Sequence, residues 1–311
     1  MFKILEFVSI CRQIWRDEMS THCVTATNTP GPRLSTVNCP NDKGRIIEHY
    51  DLVSPYYRVL WGEHLHHGYW IRGDETKEQA QLQLIEHLAE LAEIQHGSEI
   101  LDIGCGFGGG SRYLARKYSA AVTGINISPV QIQMALKEAA DEELRTEFLL
   151  MDAEAMDFRK QFDLLWSMES ISHYEQHTTF FASAAKLLKR GGRFALTDWF
   201  KRENLTPAKT RKFIDPIEKG MMVKLQTMDD YEHFLTSNGL QIRHRQVLSK
   251  NCAKTWDVCL DIIRDKAFWG LAAKHGSEFI SYLHSFRAMR AGFTSDNFVY
   301  GLFVASAIPP V

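Results

Sequence analysis

Three residue types capable of acid–base chemistry follow apolar runs in this chain: Glu169 and His173 in "SMESISHY", and Asp198 in "LTDW". An imidazole titrates near pH ~6.5 when unperturbed, so His173 is a candidate general base. Asp198 could orient that ring or take the proton itself. A second feature lies upstream. "DIGCGFGGGS" runs from Asp102 to Ser111, and five of its ten residues are glycine in a chain with only 20 glycines. Glycine costs conformational entropy on folding and packs no side chain. Such density implies a turn where something approaches bare main chain.

Regular elements must bring these stretches together. Glu99–Ile103, Ala121–Ile127, Phe148–Met151, Phe162–Met168 and Arg193–Thr197 are short apolar runs that predict buried strands. Helical patterns alternate with them at Gln79–Glu93, Ser111–Lys117 and Thr178–Leu188. Ser128-Pro129-Val130-Gln131 predicts a helix start, with a Ser cap, Pro at the first position and Gln closing a capping box. Strand–helix alternation predicts an α/β fold with a mostly parallel, doubly wound sheet. Leu240–Leu248 and Asn297–Ala305 add two later strands, and Met228–Asn238 a helix stopped by Gly239. Helical stretches at 200–227 and 250–295 interrupt the pattern, with Trp256, Leu260 and Ile263 on one face. Residues 1–44 include a Thr-, Asn-, Pro- and Gly-rich stretch and read as a flexible arm. Residues 45–311 then form one domain, with 45–95 a helical cap and the two insertions a lid.

Ligands of doubly wound sheets bind beyond the carboxyl ends of the strands, where the glycine turn falls. Gly104, Gly106 and Gly109 formally satisfy a dinucleotide fingerprint. The long segment before the first strand, and Asp102 directly before the glycines, argue against a dehydrogenase. The chain resembles class I S-adenosylmethionine-dependent methyltransferases, specifically the small-molecule subgroup of tocopherol, sterol and cyclopropane-forming enzymes. The resemblance rests on "ILDIGCGFGG", "GINISPVQI", "FDLLWSMESISHY" and "LLKRGGRFALTDW", in order, with "HYDLVSPYYRVLWGEHLHHGYW" as a cap.

That resemblance implies a seven-stranded sheet and S-adenosylmethionine as cofactor. It implies that Gly104, Cys105 and Gly106 present main chain to the amino acid tail, and that Asp102 orients its ammonium. Asn126 replaces the usual ribose-binding acid, beside Ile127 and Gln131. Asp152 would accept from the adenine amino group and Ala153 would face the ring. Met168 and Glu169 end the fourth strand, where a carboxylate would face cofactor and substrate. Tyr50 is the cap residue implied to reach the cofactor. Tyr56, Tyr57, Trp61, Tyr69 and Trp70 offer further aromatic surface for a lid that excludes water and attracts the sulfonium.

Methyl transfer needs nucleophile, carbon and sulfur held in line, and a base only where the nucleophile carries a proton. Phe213, Ile214, Met221, Met222, Trp256, Leu260, Phe268 and Trp269 are candidates for an apolar roof, which suits a lipophilic or aromatic acceptor at carbon, nitrogen or oxygen. The formal charge of −2 gives no footprint for nucleic acid or anionic membrane. The start of the chain is too charged to span a bilayer. Six scattered cysteines fit reduced thiols in the cytoplasm. His64, His66 and His67 do not share one helical face, so no metal is expected. A homodimer is compatible with this reading. Two other readings stay open: a cyclisation or rearrangement using the same cofactor, and a non-catalytic nucleotide-binding partner protein.

Overall fold

The computed structural model describes residues 41–262, 264 and 285–307. Phe268 and Trp269, expected in the roof, and Ile263, expected on one helix face, lie outside them. The strands are β1 (Glu99–Ile103), β2 (Ala121–Asn126), β3 (Thr146–Leu150), β4 (Phe162–Met168), β5 (Leu188–Lys201), β6 (Leu240–Val247) and β7 (Phe298–Ala307). They form one seven-stranded sheet in the order β3-β2-β1-β4-β5-β7-β6. β1 to β5 pair in parallel, and β7 runs against β5 and β6. The chain winds outward from β1 to β3, then crosses back to β4. That reversal opens a crevice at the carboxyl ends of β1 and β4.

Strand parity divides the core. Ile100 of β1 joins a cluster with Leu84, Leu88, Leu114 and Trp166, whereas Leu101 and Ile103 join Phe180, Phe181, Phe194 and Tyr231 on the opposite face. The helix Lys77–Leu91 covers the first face and starts with a capping box between Thr76 and Gln79. The helices His177–Lys186 and Met228–Ser237 contribute to the second face.

Three expectations need correction. The cap helix spans Asn41–Leu60, so it starts inside the stretch read as an arm and carries Lys43 with it. β5 continues to Lys201 because β7 pairs with it from Arg193 onward, placing Asp198 opposite Gly301 and Trp199 opposite Tyr300. At the helix Pro129–Ala139, Ser128 caps the Gln131 N–H, but the Gln131 side chain does not return the bond. The Ser128 N–H goes instead to Asn126 Oδ1. No helix among the described residues is long and apolar enough to cross a membrane.

Candidate active site

A cavity opens at the carboxyl ends of the strands beneath the cap helix and the loop 61–70. Its wall includes Asp102, Gly104, Cys105 and Gly106 after β1, and Asn126, Ile127 and Gln131 after β2. Asp152 and Ala153 follow β3; Met168, Glu169 and His173 follow β4; Tyr50 comes from the cap. Asp198 is absent from the wall.

The glycine turn serves two masters. Gly104 has φ +80°, and a Cβ there would lie 2.3 Å from the Ser170 Cβ, so its bareness is needed by the protein's own packing. At Gly106, φ is +55° and the nearest atom to an added Cβ is Leu65 Cδ1 at 3.5 Å. Main chain at Gly106 is therefore free to meet a ligand.

Asp102 is buried and accepts from the Ser111 hydroxyl at 2.5 Å. Burial pushes its carboxyl up to about 6, against the lowering effect of Ser111. Among the described residues no basic side chain pairs with it. A buried carboxylate lacking a counter-charge suits an ammonium ligand. Asn126 donates through Nδ2 to the Gly106 carbonyl at 3.3 Å and to Gln131 Oε1 at 2.6 Å. The Gln131 amide passes on to Ser54 of the cap at 2.8 Å. Asn126 thus ties the glycine turn to the end of β2. Asp152 accepts from Lys43 Nζ at 2.6 Å, and the same ammonium lies 2.7 Å from Glu154.

The other end of the cavity is organised by Glu169. Its φ of +55° is a left-handed conformation that a side chain adopts at a cost of roughly 1–2 kcal/mol. The carboxylate is buried and receives the His67 main-chain N–H at 2.6 Å and His67 Nδ1 at 3.0 Å from both oxygens. Trp199 Nε1 donates at 3.1 Å and the Tyr300 hydroxyl at 2.7 Å. Burial alone would raise its pKa, but the His67 ring and N–H outweigh burial and hold the group below its ordinary value. The ionised carboxylate can only accept, so His67 Nδ1 carries the hydrogen. His67 Nε2 is buried with no partner among the described residues. An unpaired buried acceptor costs about 1–3 kcal/mol.

His173 does not have the surroundings of a general base at neutral pH. Burial drives its pKa down to about 4. Its Nδ1 faces the Met222 carbonyl at 3.1 Å, which can only accept, so Nε2 receives the Tyr50 hydroxyl at 3.0 Å. Both nitrogens are occupied, and the ring acts as a strut for Tyr50. Asp198 does not orient His173 either. It is fully buried and accepts from the Ser172 N–H, the Trp199 N–H and the Tyr231 hydroxyl at 2.8, 2.8 and 2.9 Å. Because β5 continues through it, its side chain serves the turn beneath the site while Trp199, the next residue, joins the cavity wall.

The aromatic lid is narrower than expected. Tyr50, Tyr57 and Trp61 line the cavity, whereas Tyr56 does not. Tyr69 stacks on His87 with centroids 4.8 Å apart, and buried Trp70 donates to the Glu75 carbonyl. Of the expected roof, Met221 and Trp256 reach the wall; Phe213, Ile214, Met222 and Leu260 do not. Cys259, Ile262 and Phe286 do. Residues missed in the sequence are Lys43, His67, Trp199 and Tyr300. The signal for His67 was the histidine density of "EHLHHGYW"; the segment is loop rather than helix, so helical spacing was the wrong test. Among the described residues no cluster of His, Cys, Asp or Glu is arranged to hold a metal.

Comparison with known proteins agrees with this geometry. Residues 39–297 match the mycolic acid cyclopropane synthetase family. The chain is 32% identical over 248 residues to the chloroplastic tocopherol O-methyltransferase of Arabidopsis thaliana, covering 72% of this chain and 70% of that one. It is 31% identical over 257 residues to the 27-O-demethylrifamycin SV methyltransferase of Amycolatopsis mediterranei, covering 80% and 92%. The mycolic acid cyclopropane synthase CmaA1, solved with SAH and CTAB, shares the fold with a TM-score of 0.78 and 22% identity, over 86% of this chain and 98% of that one. The chain therefore belongs to the mycolic acid cyclopropane synthetase family and is a class I S-adenosylmethionine-dependent methyltransferase.

Proposed function

We propose that the chain moves the methyl group of S-adenosylmethionine to a lipophilic small molecule held at the Glu169 end of the cavity. The observation that carries this is the cavity's division. One end gathers Asp102, the open Gly106 main chain, Asn126 and Asp152, which suit the ammonium, the tail, the sugar and the adenine amino group in turn. The other is walled by Met168, Trp199, Met221, Trp256 and Phe286. When bound, the cofactor supplies an electrophilic methyl on a positively charged sulfur.

The protein's part is mostly placement. Asp102 holds the tail, and the Asn126–Gly106 link sets the distance between turn and sugar. Lys43 must share Asp152 with the adenine amino group or yield it. The Tyr50 hydroxyl, braced by His173, closes the mouth and positions the methyl end. Apolar walls exclude water, so the acceptor meets the methyl without competition from hydrolysis. Alignment of this kind can supply roughly 7–11 kcal/mol of the barrier. The cap helix, pinned through Asp51 to Ser128 at 2.5 Å and through Ser54 to Gln131 at 2.8 Å, completes the enclosure.

Incubation with methyl-labelled S-adenosylmethionine and an extract of host lipids and aromatic metabolites tests the reading. Label should appear in one organic-soluble product. Its absence, with bound cofactor confirmed by calorimetry, would favour a cyclisation or a binding role.

A further inference from the structure

We infer that Arg112 is a positioning residue for methyl transfer, holding the glycine turn through the Phe107 carbonyl and the 61–70 loop through Glu63. It is not among the wall residues of the cavity, so it acts only through these two. The inference rests on the methyl-transfer reading and deepens it.

Arg112 lies in the helix Gly109–Tyr118 and is buried. A helical side chain leans toward the helix N-terminus, so the guanidinium reaches back over the first turn. There Nη1 donates to the Phe107 carbonyl at 3.0 Å. Phe107 stands between Gly106 and Gly108, whose φ angles are +55° and +79°. Glycines on both sides give this stretch more backbone freedom than other residues would, and Arg112 restrains the peptide between them. Asn126 holds the neighbouring Gly106 carbonyl from the β2 side. The two side chains together fix the main chain that is to meet the cofactor tail.

The same guanidinium faces three carboxylates. Nη2 donates to Glu63 at 2.8 Å and to Glu138 at 2.6 Å, and Nε lies 3.1 Å from Glu142. Glu138 and Glu142 each have a second arginine, Arg58 and Arg116. Glu63 differs, because among the described residues its ion-pair partner is Arg112 alone. It belongs to the 61–70 loop, which presses on the turn: a Cβ at Gly109 would lie 2.3 Å from the Glu63 carbonyl. Further along the loop, the Gly68 N–H donates to the Thr255 hydroxyl at 3.2 Å. The Trp70 N–H donates to the Asn251 carbonyl at 3.0 Å, and the Asn251 amide returns a bond to the Trp70 carbonyl at 2.8 Å. The loop therefore runs from the glycine turn to the insertion that carries Trp256, and midway its His67 N–H meets Glu169. One buried cation anchors its cofactor-side end. That task needs the planar fork of an arginine, since a lysine offers a single point charge.

The test uses the whole chain, S-adenosylhomocysteine calorimetry, amide hydrogen exchange and urea unfolding. Arg112→Lys keeps a cation among the carboxylates, but one ammonium cannot also serve the Phe107 carbonyl. Its S-adenosylhomocysteine affinity should fall about tenfold. Glu63→Ala, at a half-buried position, leaves the Phe107 bond in place. Affinity should then stay within about threefold of wild type, while exchange at the His67 and Gly68 amides speeds up about tenfold or more. Transfer of labelled methyl to the host extract at saturating cofactor should fall about tenfold in the same variant. A residue that only stabilises the fold would lower the urea midpoint and move neither affinity nor those amides. Wild-type affinity in Arg112→Lys, or wild-type exchange and transfer in Glu63→Ala, would overturn the inference. If Arg112→Lys does not fold, Glu63→Ala decides it. A wild type that binds S-adenosylhomocysteine but labels no product removes methyl transfer, and affinity and exchange still judge Arg112; a wild type that does not bind removes both.

Discussion

The Tyr50 hydroxyl and His173 Nε2 meet at 3.0 Å across 123 residues of chain, with the rings edge to face at 5.6 Å. The contact joins the cap to the turn after β4. Since Met222 fixes the other nitrogen, the imidazole is neutral and accepts from Tyr50. His173 stays neutral above about pH 4, so no limb of the rate–pH profile near neutrality belongs to it. His173→Ala should lower kcat about tenfold through loss of the strut, without changing the profile's shape between about pH 6 and 8. A limb that disappears in the variant would restore His173 as the base.

Cofactor affinity should depend on Asp102. Its carboxyl titrates at about 6 in the ligand-free protein, and an ammonium binds only the ionised form. Affinity should therefore be level above that pH and fall roughly tenfold per unit below it. Asp102→Asn should weaken S-adenosylhomocysteine binding about 10- to 100-fold at neutral pH, the worth of a charged hydrogen bond, and flatten the dependence. Calorimetry at several pH values decides it.

Two glycines in one turn should respond differently to alanine. At Gly104 the new methyl meets Ser170 and the backbone is left-handed, so Gly104→Ala should cost about 1–3 kcal/mol of stability. At Gly106 there is room for the atom. Gly106→Ala should retain most stability and lose cofactor affinity. Urea unfolding beside ligand titration separates the two effects.

Asp198 should make stability depend on pH without touching the cofactor. Burial raises its carboxyl from an ordinary 3.8 to about 7 in the folded protein. Its contribution is then fully present below the ordinary value and is lost as pH rises through about 7. Asp198→Asn removes that titration, and its amide hydrogens face three donors. The wild type should be the more stable near pH ~5, and the gap should narrow toward pH ~8. Thermal midpoints with a constant gap would contradict the assignment.

The positions of the turn and strands were legible because they follow from local chemistry. An apolar run stopped by glycine defines β1, an apolar run ending at Met168 defines β4, and Ser128-Pro129 starts a helix. Asp102 and Gly106 were readable for the same reason: the turn that needs them is contiguous. The acceptor end was not. Glu169 reaches His67 across 102 residues and Tyr300 across 131, and spacing along the chain says nothing about such pairs. Asp198 and Trp199 show the limit most sharply. Which of two neighbours in a strand faces a cavity depends on how far the strand continues, and β5 continues only because β7 pairs with it. Sequence determined where a cofactor's charged tail can rest, since that needs one turn and one buried acid. Tertiary structure alone decided which side chains are free to touch the acceptor, because burial and partner choice belong to the folded whole.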